Sequence, residues 1–299
     1  MIIAITGASG MIGRALVDAL EAHGHLVRRL VRREVLDGDH EIAWDPASGK
    51  IDAAELNGID AVVHLAGESL AAHRWTDSFK KEILESRTRG TRLLSLALAG
   101  LGSKPDVLVS ASAVGYYGDR GDELVDESSP PGDGFLANVC QQWEAATHAA
   151  RDAGIRVVNL RMGVVLSPHG GALGSMLSPF KLGLGGVIGS GRQYLSWIAI
   201  DDLMAAIEFA LVHNSIAGPV NAAAPNPVTN REFTKTLGRV LGRPTIVPMP
   251  AFAARAAFGE MADEMLLGGV RVEPRTLHTA GFAFEYPQLE PALRHVLQV

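Results

Sequence analysis

The sequence predicts an α/β fold built on a doubly wound parallel sheet, followed by a smaller C-terminal lobe. Three observations carry this prediction. Short β-branched runs alternate with amphipathic segments from the start to about residue 165, the pattern of successive βαβ units. A glycine-rich turn, TGASGMIG, follows the first of those runs. Beyond residue 165 the rhythm gives way to GLGGVIGSGRQ and then to a proline-rich region around residues 244 to 250.

Six strands are expected, over Ile2 to Ile5, Leu26 to Val31, Glu41 to Trp44, Ala61 to Leu65, Val107 to Ser110 and Arg156 to Leu160. Helices fall between most of them. In the first, Met11 to His23, the residues Ile12, Leu16 and Leu20 share one face and Gly24 supplies the stop. The second spans Asp77 to Leu98 and the third Phe135 to Ala153. Later helices are expected over Asp201 to His213, over Asn230 to Leu241 behind a Thr229 cap, and over Ala251 to Leu267. The expected division places a nucleotide-binding domain at 1–225, with insertions after 165, and a small helical domain at 226–299.

Composition narrows the function classes. With 299 residues, 47% hydrophobic and 20% charged, the chain can bury a large core. A net charge of -6 gives no general attraction to nucleic acid or to an anionic membrane, so any phosphate-bearing ligand must be held locally. The one cysteine, Cys140, permits no intramolecular disulfide, and the cytoplasm is the expected compartment. The opening MIIAIT reads as a strand rather than a leader, and no apolar run reaches the ~18 residues a membrane span needs. The ten histidines show no metal-ligand spacing, and no metal is expected.

The glycine turn carries the chemistry. Gly7 permits the tight bend, Gly10 lets backbone approach a pyrophosphate, and Gly13 allows close packing of helix on sheet. The helix N-terminus then favours phosphate. Gly7, Ser9, Gly10, Met11, Ile12 and Gly13 are therefore the expected dinucleotide-binding turn of a Rossmann-type sheet. Strand two ends in LVRR, where an NAD site would place an acid for the ribose hydroxyls. Arg32 and Arg33 offer guanidinium groups that would grip a 2′-phosphate, so NADP(H) is the expected cofactor and Arg32 the preferred contact.

At this point the residues resemble a known family. GASGMIG, HLAGE at 64–68 and SASAVGYYG at 110–118 stand in the order of the extended short-chain dehydrogenase/reductases. RWTDSFKKEILESR at 74–87, FLANVCQQWEAA at 135–146 and SMLSPFKLGLGGVIGSGRQYLSWIAIDDL at 175–203 are similar to the atypical "epimerase family protein" subgroup. The tail LLGGVRVEPRTLHTAGFAFEYPQLEPAL at 266–293 is similar to that subgroup's small C-terminal domain. The resemblance implies that Leu65, Ala66 and Gly67 line the adenosine side, that Glu82 and Arg87 approach the cofactor, and that Val165 lies near the nicotinamide.

It also marks a departure. Ordinary relatives carry a YxxxK pair, a tyrosine acid/base with a lysine that lowers its pKa. Alignment on Glu144 puts Leu136 and Cys140 at those positions, and neither can replace them. Substitutes are Ser112, where the family's catalytic Ser or Thr stands, and Tyr116 and Tyr117 just beyond it. Arg161 ends strand six, where a substrate contact and a structural ion pair are equally good readings. Asp201 and Asp202 resemble the family's paired acids after the substrate loop, and helix N-capping is the stronger reading of them. The function expected is an NADP(H)-binding oxidoreductase or epimerase-like enzyme on a small carbonyl or hydroxyl substrate; the alternative is a non-catalytic NADP(H) sensor. Homodimer contacts, as in relatives, would use the helices Asp77 to Leu98 and Phe135 to Ala153.

Overall fold

The computed structural model describes residues 1–299. The chain forms two compact units. One comprises Met1–Ser112, Val139–Leu160 and Ile207–Pro219; the other comprises Ala113–Asn138, Arg161–Ala206 and Val220–Val299.

Most of the central sheet and its helices lie in the first unit, with residues 113, 135–138, 161–162 and 220–222 counted in the second. In chain order come β1 (Ile2–Thr6), α1 (Met11–Ala22), β2 (Leu26–Val31), β3 (Glu41–Asp45), β4 (Lys50–Ile51), β5 (Ala61–His64), α2 (Asp77–Ala99) and β6 (Val107–Ala113). They are followed by α3 (Phe135–Ala145), α4 (His148–Asp152), β7 (Arg156–Met162) and β8 (Gly218–Ala222). The strand order is β8-β7-β6-β5-β1-β2-β3-β4. β1 pairs in parallel with both β2 and β5, β2 with β3, and β5 with β6, while β4 closes the edge antiparallel to β3. All six expected strands are present, and the chain crosses from one side of β1 to the other between β3 and β5. That reversal opens a crevice at the carboxyl ends of β1 and β5, where α/β sheets bind ligands.

Apolar side chains from the strands, including Ala4, Leu30, Ile42, Val62 and Leu108, meet Leu94 and Leu98 of α2 in one core. The first helix ends as expected: Gly24 takes φ +79°, and its N–H reaches Glu21 O at 3.0 Å. The third expected helix is broken at Ala146 and Thr147. The Thr147 hydroxyl donates to Glu144 O at 2.7 Å. Ser95 of α2 meanwhile donates to Thr147 O at 3.1 Å and accepts from Ala150 N at 2.8 Å, displacing the helical ladder.

The second unit has its own core of Leu166, Leu173, Leu177, Phe180, Trp197, Phe233, Leu237 and Leu293, with smaller neighbours. The Thr229 cap exists as a capping box with Glu232. The expected helix 251–267 is instead Ala251–Phe258, Glu260–Ala262 and a π-helical turn Asp263–Leu267, because Gly259 adopts φ +63° and turns the chain out of the helix. Asp202 is not a helix cap. It is buried and accepts from the backbone of Glu285 (2.8 Å) and Tyr286 (3.0 Å), tying the C-terminal segment to its own unit. Burial raises its carboxyl above the ordinary value, opposed by those two amides.

Candidate dinucleotide site

The glycine turn is shaped by close backbone approach. Gly7 has φ +70°, and a Cβ there would lie 2.8 Å from the Leu65 carbonyl carbon; a Cβ at Gly13 would lie 2.2 Å from Gly7 O. Only glycine fits either place. Gly10 is the N-cap of α1, with no side-chain cap and no acidic residue in the first turn, so the helix presents its amides and positive end without a protein anion. That is a built place for a pyrophosphate.

The β5 loop opposite is positioned by a buried hydrogen-bond chain. Thr91 Oγ1 donates to Arg87 O at 2.7 Å, so it accepts from His64 Nε2–H at 2.9 Å. His64 Nδ1 then accepts from the Thr6 hydroxyl at 2.7 Å, and Thr6 Oγ1 in turn accepts from Leu65 N (3.1 Å) and Ala66 N (3.2 Å). Each atom has one role, which assigns the Nε2–H tautomer. Full burial lowers the His64 pKa to about 4, keeping the ring neutral. Sequence reading passed over His64 as one scattered histidine; its partners lie 27 and 58 residues away.

Between these loops lies a cavity of about 1140 Å³ whose lining belongs entirely to the first unit. Of the sequence-predicted residues it gathers Gly7, Ser9, Gly10, Arg32, Arg33, Leu65, Ala66, Gly67 and Glu82. Met11 and Ile12 are half-buried on α1 and, like Gly13, stand outside the lining. Arg87 also stands outside it. Its side chain passes beneath Gly67, where a Cβ would meet Arg87 Cγ at 3.4 Å, and its guanidinium lies 5.1 Å from the Trp143 ring centre. Burial lowers its basicity, while Cys140 and Glu68 nearby act in the opposite direction.

The arginines divide into two kinds. Arg33 grips Glu41 with both terminal nitrogens, Nη1 lying 2.9 Å from Oε2. Arg29 Nη2 lies 3.9 Å from the same carboxylate, and Arg28 pairs with Glu55. Arg32 is exposed and, like exposed Arg14 on α1, makes no ion pair or side-chain hydrogen bond. Both line the cavity. Sequence reading does not single out Arg14 or Glu41 as lining a ligand cavity: no motif marks Arg14, and Glu41 reads only as the start of a strand. The cavity therefore offers an open helix end and two cations without acidic partners, a donor set suited to a phosphorylated dinucleotide.

The three candidate acid/base residues have different surroundings. Ser112 is buried at the end of β6 and donates to Glu144 at 2.7 Å. In the second unit, Tyr117 is fully buried; its hydroxyl donates to Asn221 Oδ1 at 2.7 Å and accepts from Arg161 at 3.0 Å. Burial pushes the Tyr117 phenol up to about 12, against the opposing pull of Arg161. Tyr116 is half-buried, with the buried Arg161 guanidinium 3.4 Å from its ring centre, and its hydroxyl makes no hydrogen bond. Val165 is buried on the strand Val164–Leu166, paired with Ile198.

Fold and cavity together define a dinucleotide-binding protein of the Rossmann class. Residues 3–223 match the NAD dependent epimerase/dehydratase family, and the chain belongs to it; residues 249–296 match a domain of unknown function, DUF1731. The chain is 48% identical to an epimerase family protein of Mycobacterium bovis, over 98% of this chain and 96% of that one. It is 39% identical to the human epimerase family protein SDR39U1, over 99% of this chain and all of the human one. The crystal structure of human SDR39U1 isoform 2 with NADPH is similar at a TM-score of 0.91 and 40% identity, covering 100% of this chain and 99% of that one.

Proposed function

We propose that the chain binds NADP(H) in the cavity of its first unit and acts as an oxidoreductase or epimerase-like enzyme on a small carbonyl or hydroxyl compound. The observation that carries this reading is the pairing of an uncapped α1 N-terminus with Arg14 and Arg32, cations with no acidic partner in the protein. The human relative solved with NADPH supports it. Gly7, Ser9 and Gly10, with the α1 amides, hold the pyrophosphate; Arg32 meets the 2′-phosphate; and Leu65, Ala66, Gly67 and Glu82 flank the adenosine.

Bound NADP(H) would supply or accept a hydride. The chain's own part is to orient it and to move a proton. Ser112, held by Glu144, is a buried hydroxyl with a carboxylate partner in this unit, and Tyr116 keeps an uncommitted hydroxyl in the other. Tyr117 is assigned to packing. The second reading, a sensor that binds without turnover, is favoured by Leu136 and Cys140 standing where the resemblance puts the tyrosine and lysine of ordinary family members.

Calorimetric titration with NADPH and NADH, on wild type and Arg32→Ala, tests the binding. Loss of a charge-assisted phosphate contact should weaken NADPH binding at least about tenfold and leave NADH nearly unchanged. Equal binding of both nucleotides, unaffected by the substitution, would refute the assignment. Steady consumption of NADPH with any carbonyl compound would eliminate the sensor reading.

A further inference from the structure

The sequence offers both Arg32 and Arg33 to a 2′-phosphate, with Arg32 preferred, and the structure gives the two different surroundings. Both terminal nitrogens of Arg33 face the two oxygens of Glu41, and Nη1 also donates to Glu34 O at 2.8 Å. Glu41 is only 4% exposed at the start of β3, accepts from Leu36 N at 3.0 Å, and lines the cavity. It is the carboxylate joined to the residue that directly follows Arg32. An unmasked acid at this end of the cavity would repel a phosphate dianion and accept from a ribose hydroxyl, the chemistry that favours NADH.

We propose that Arg33 selects NADPH indirectly, by masking Glu41, and that the 2′-phosphate is gripped by Arg32 and Arg14. The inference rests on the NADP(H) reading above. Arg33 is thus a positioning residue: its guanidinium holds Glu41 away from the ligand and cancels its charge. Arg29, at 3.9 Å, is too distant to do so alone.

A four-protein comparison tests this. NADPH and NADH affinities are measured for wild type, Arg33→Ala, Glu41→Gln and the double variant Arg33→Ala/Glu41→Gln. Arg33→Ala should lower the NADPH-over-NADH preference by about tenfold or more, since the acid is then exposed to the phosphate. Glu41→Gln should bind NADPH at least as tightly as wild type, since it removes the acid and leaves Arg33 in place. The double variant should recover NADPH binding to within about threefold of Glu41→Gln, because no acid remains to be masked. A double variant as weak for NADPH as Arg33→Ala would overturn the proposal and make Arg33 a direct phosphate contact; an unchanged preference in Arg33→Ala would overturn it too. Should Arg33→Ala fail to fold around its buried carboxylate, the double variant set against Glu41→Gln still decides, since neither leaves a buried charge unpaired. Wild-type protein that binds neither nucleotide condemns the cofactor reading itself and the masking with it. Intact wild-type preference with an unrescued double variant condemns the masking alone.

Discussion

Protonation of His64 should destabilise the first unit across a defined pH window. The ring is neutral and fully buried, with Nδ1 accepting from Thr6 and Nε2 donating to Thr91. A proton on Nδ1 would face a hydroxyl that must then turn away, breaking the chain that carries the Leu65 and Ala66 amides. The folded pKa is depressed to about 4 from the ordinary 6.5, so the unfolded chain binds the extra proton first as pH falls. Stability is therefore complete above about pH 6.5, declines towards pH 4 and is flat below it, as far as this group is concerned. Integrating between pH 7 and pH 5 gives a loss of about 2 kcal/mol. Urea unfolding followed by tryptophan fluorescence, on wild type and His64→Asn at pH 7, 6 and 5, measures it. The wild type should lose about 2 kcal/mol more than the variant over that range. Parallel pH profiles for the two proteins would refute the reasoning, because His64 would then not be the group that titrates.

Three further outcomes follow from the second unit. Tyr117→Phe deprives Asn221 Oδ1 of its donor and one Arg161 donor of its acceptor, and should lower stability by roughly 1–3 kcal/mol in urea unfolding without changing NADPH affinity; Tyr116→Phe, which breaks no hydrogen bond, should stay within about 0.5 kcal/mol of wild type. Glu264 accepts from Phe135 N (3.0 Å) and Leu136 N (3.1 Å), capping α3 with a carboxylate from 128 or more residues away. Glu264→Ala should cost about 1–2 kcal/mol, read as a lower thermal midpoint.

What was legible in the sequence was what depends on neighbours in the chain. The β-branched or apolar runs at Ile2 to Ile5 and Val107 to Ser110, the Ile12, Leu16 and Leu20 stripe, the Gly24 stop and the Thr229 cap are local signals, and each element formed where its signal stands. The glycine turn was legible for the same reason: its spacing encodes steric limits met within a few residues, although the atoms that enforce them at Gly7 belong to Leu65 and Ala66. What stayed hidden depends on distant partners. The break after α3 needs Ser95, and the tautomer of His64 needs Thr6 and Thr91, none of them marked by spacing. The cofactor end shows the difference most sharply. A doublet of arginines after β2 signals positive charge, but not which guanidinium remains available. That is decided by Glu41, eight residues beyond Arg33, whose burial depends on the pairing of β3 with β2. Charge counting from sequence therefore overstates the cations available to the ligand near β2, where Arg28, Arg29 and Arg33 all face carboxylates within 4 Å. It also overlooks Arg14, whose position is set by the turn that begins α1. A phosphate site of this kind is defined less by how many basic residues surround it than by which of them the fold leaves without an acid.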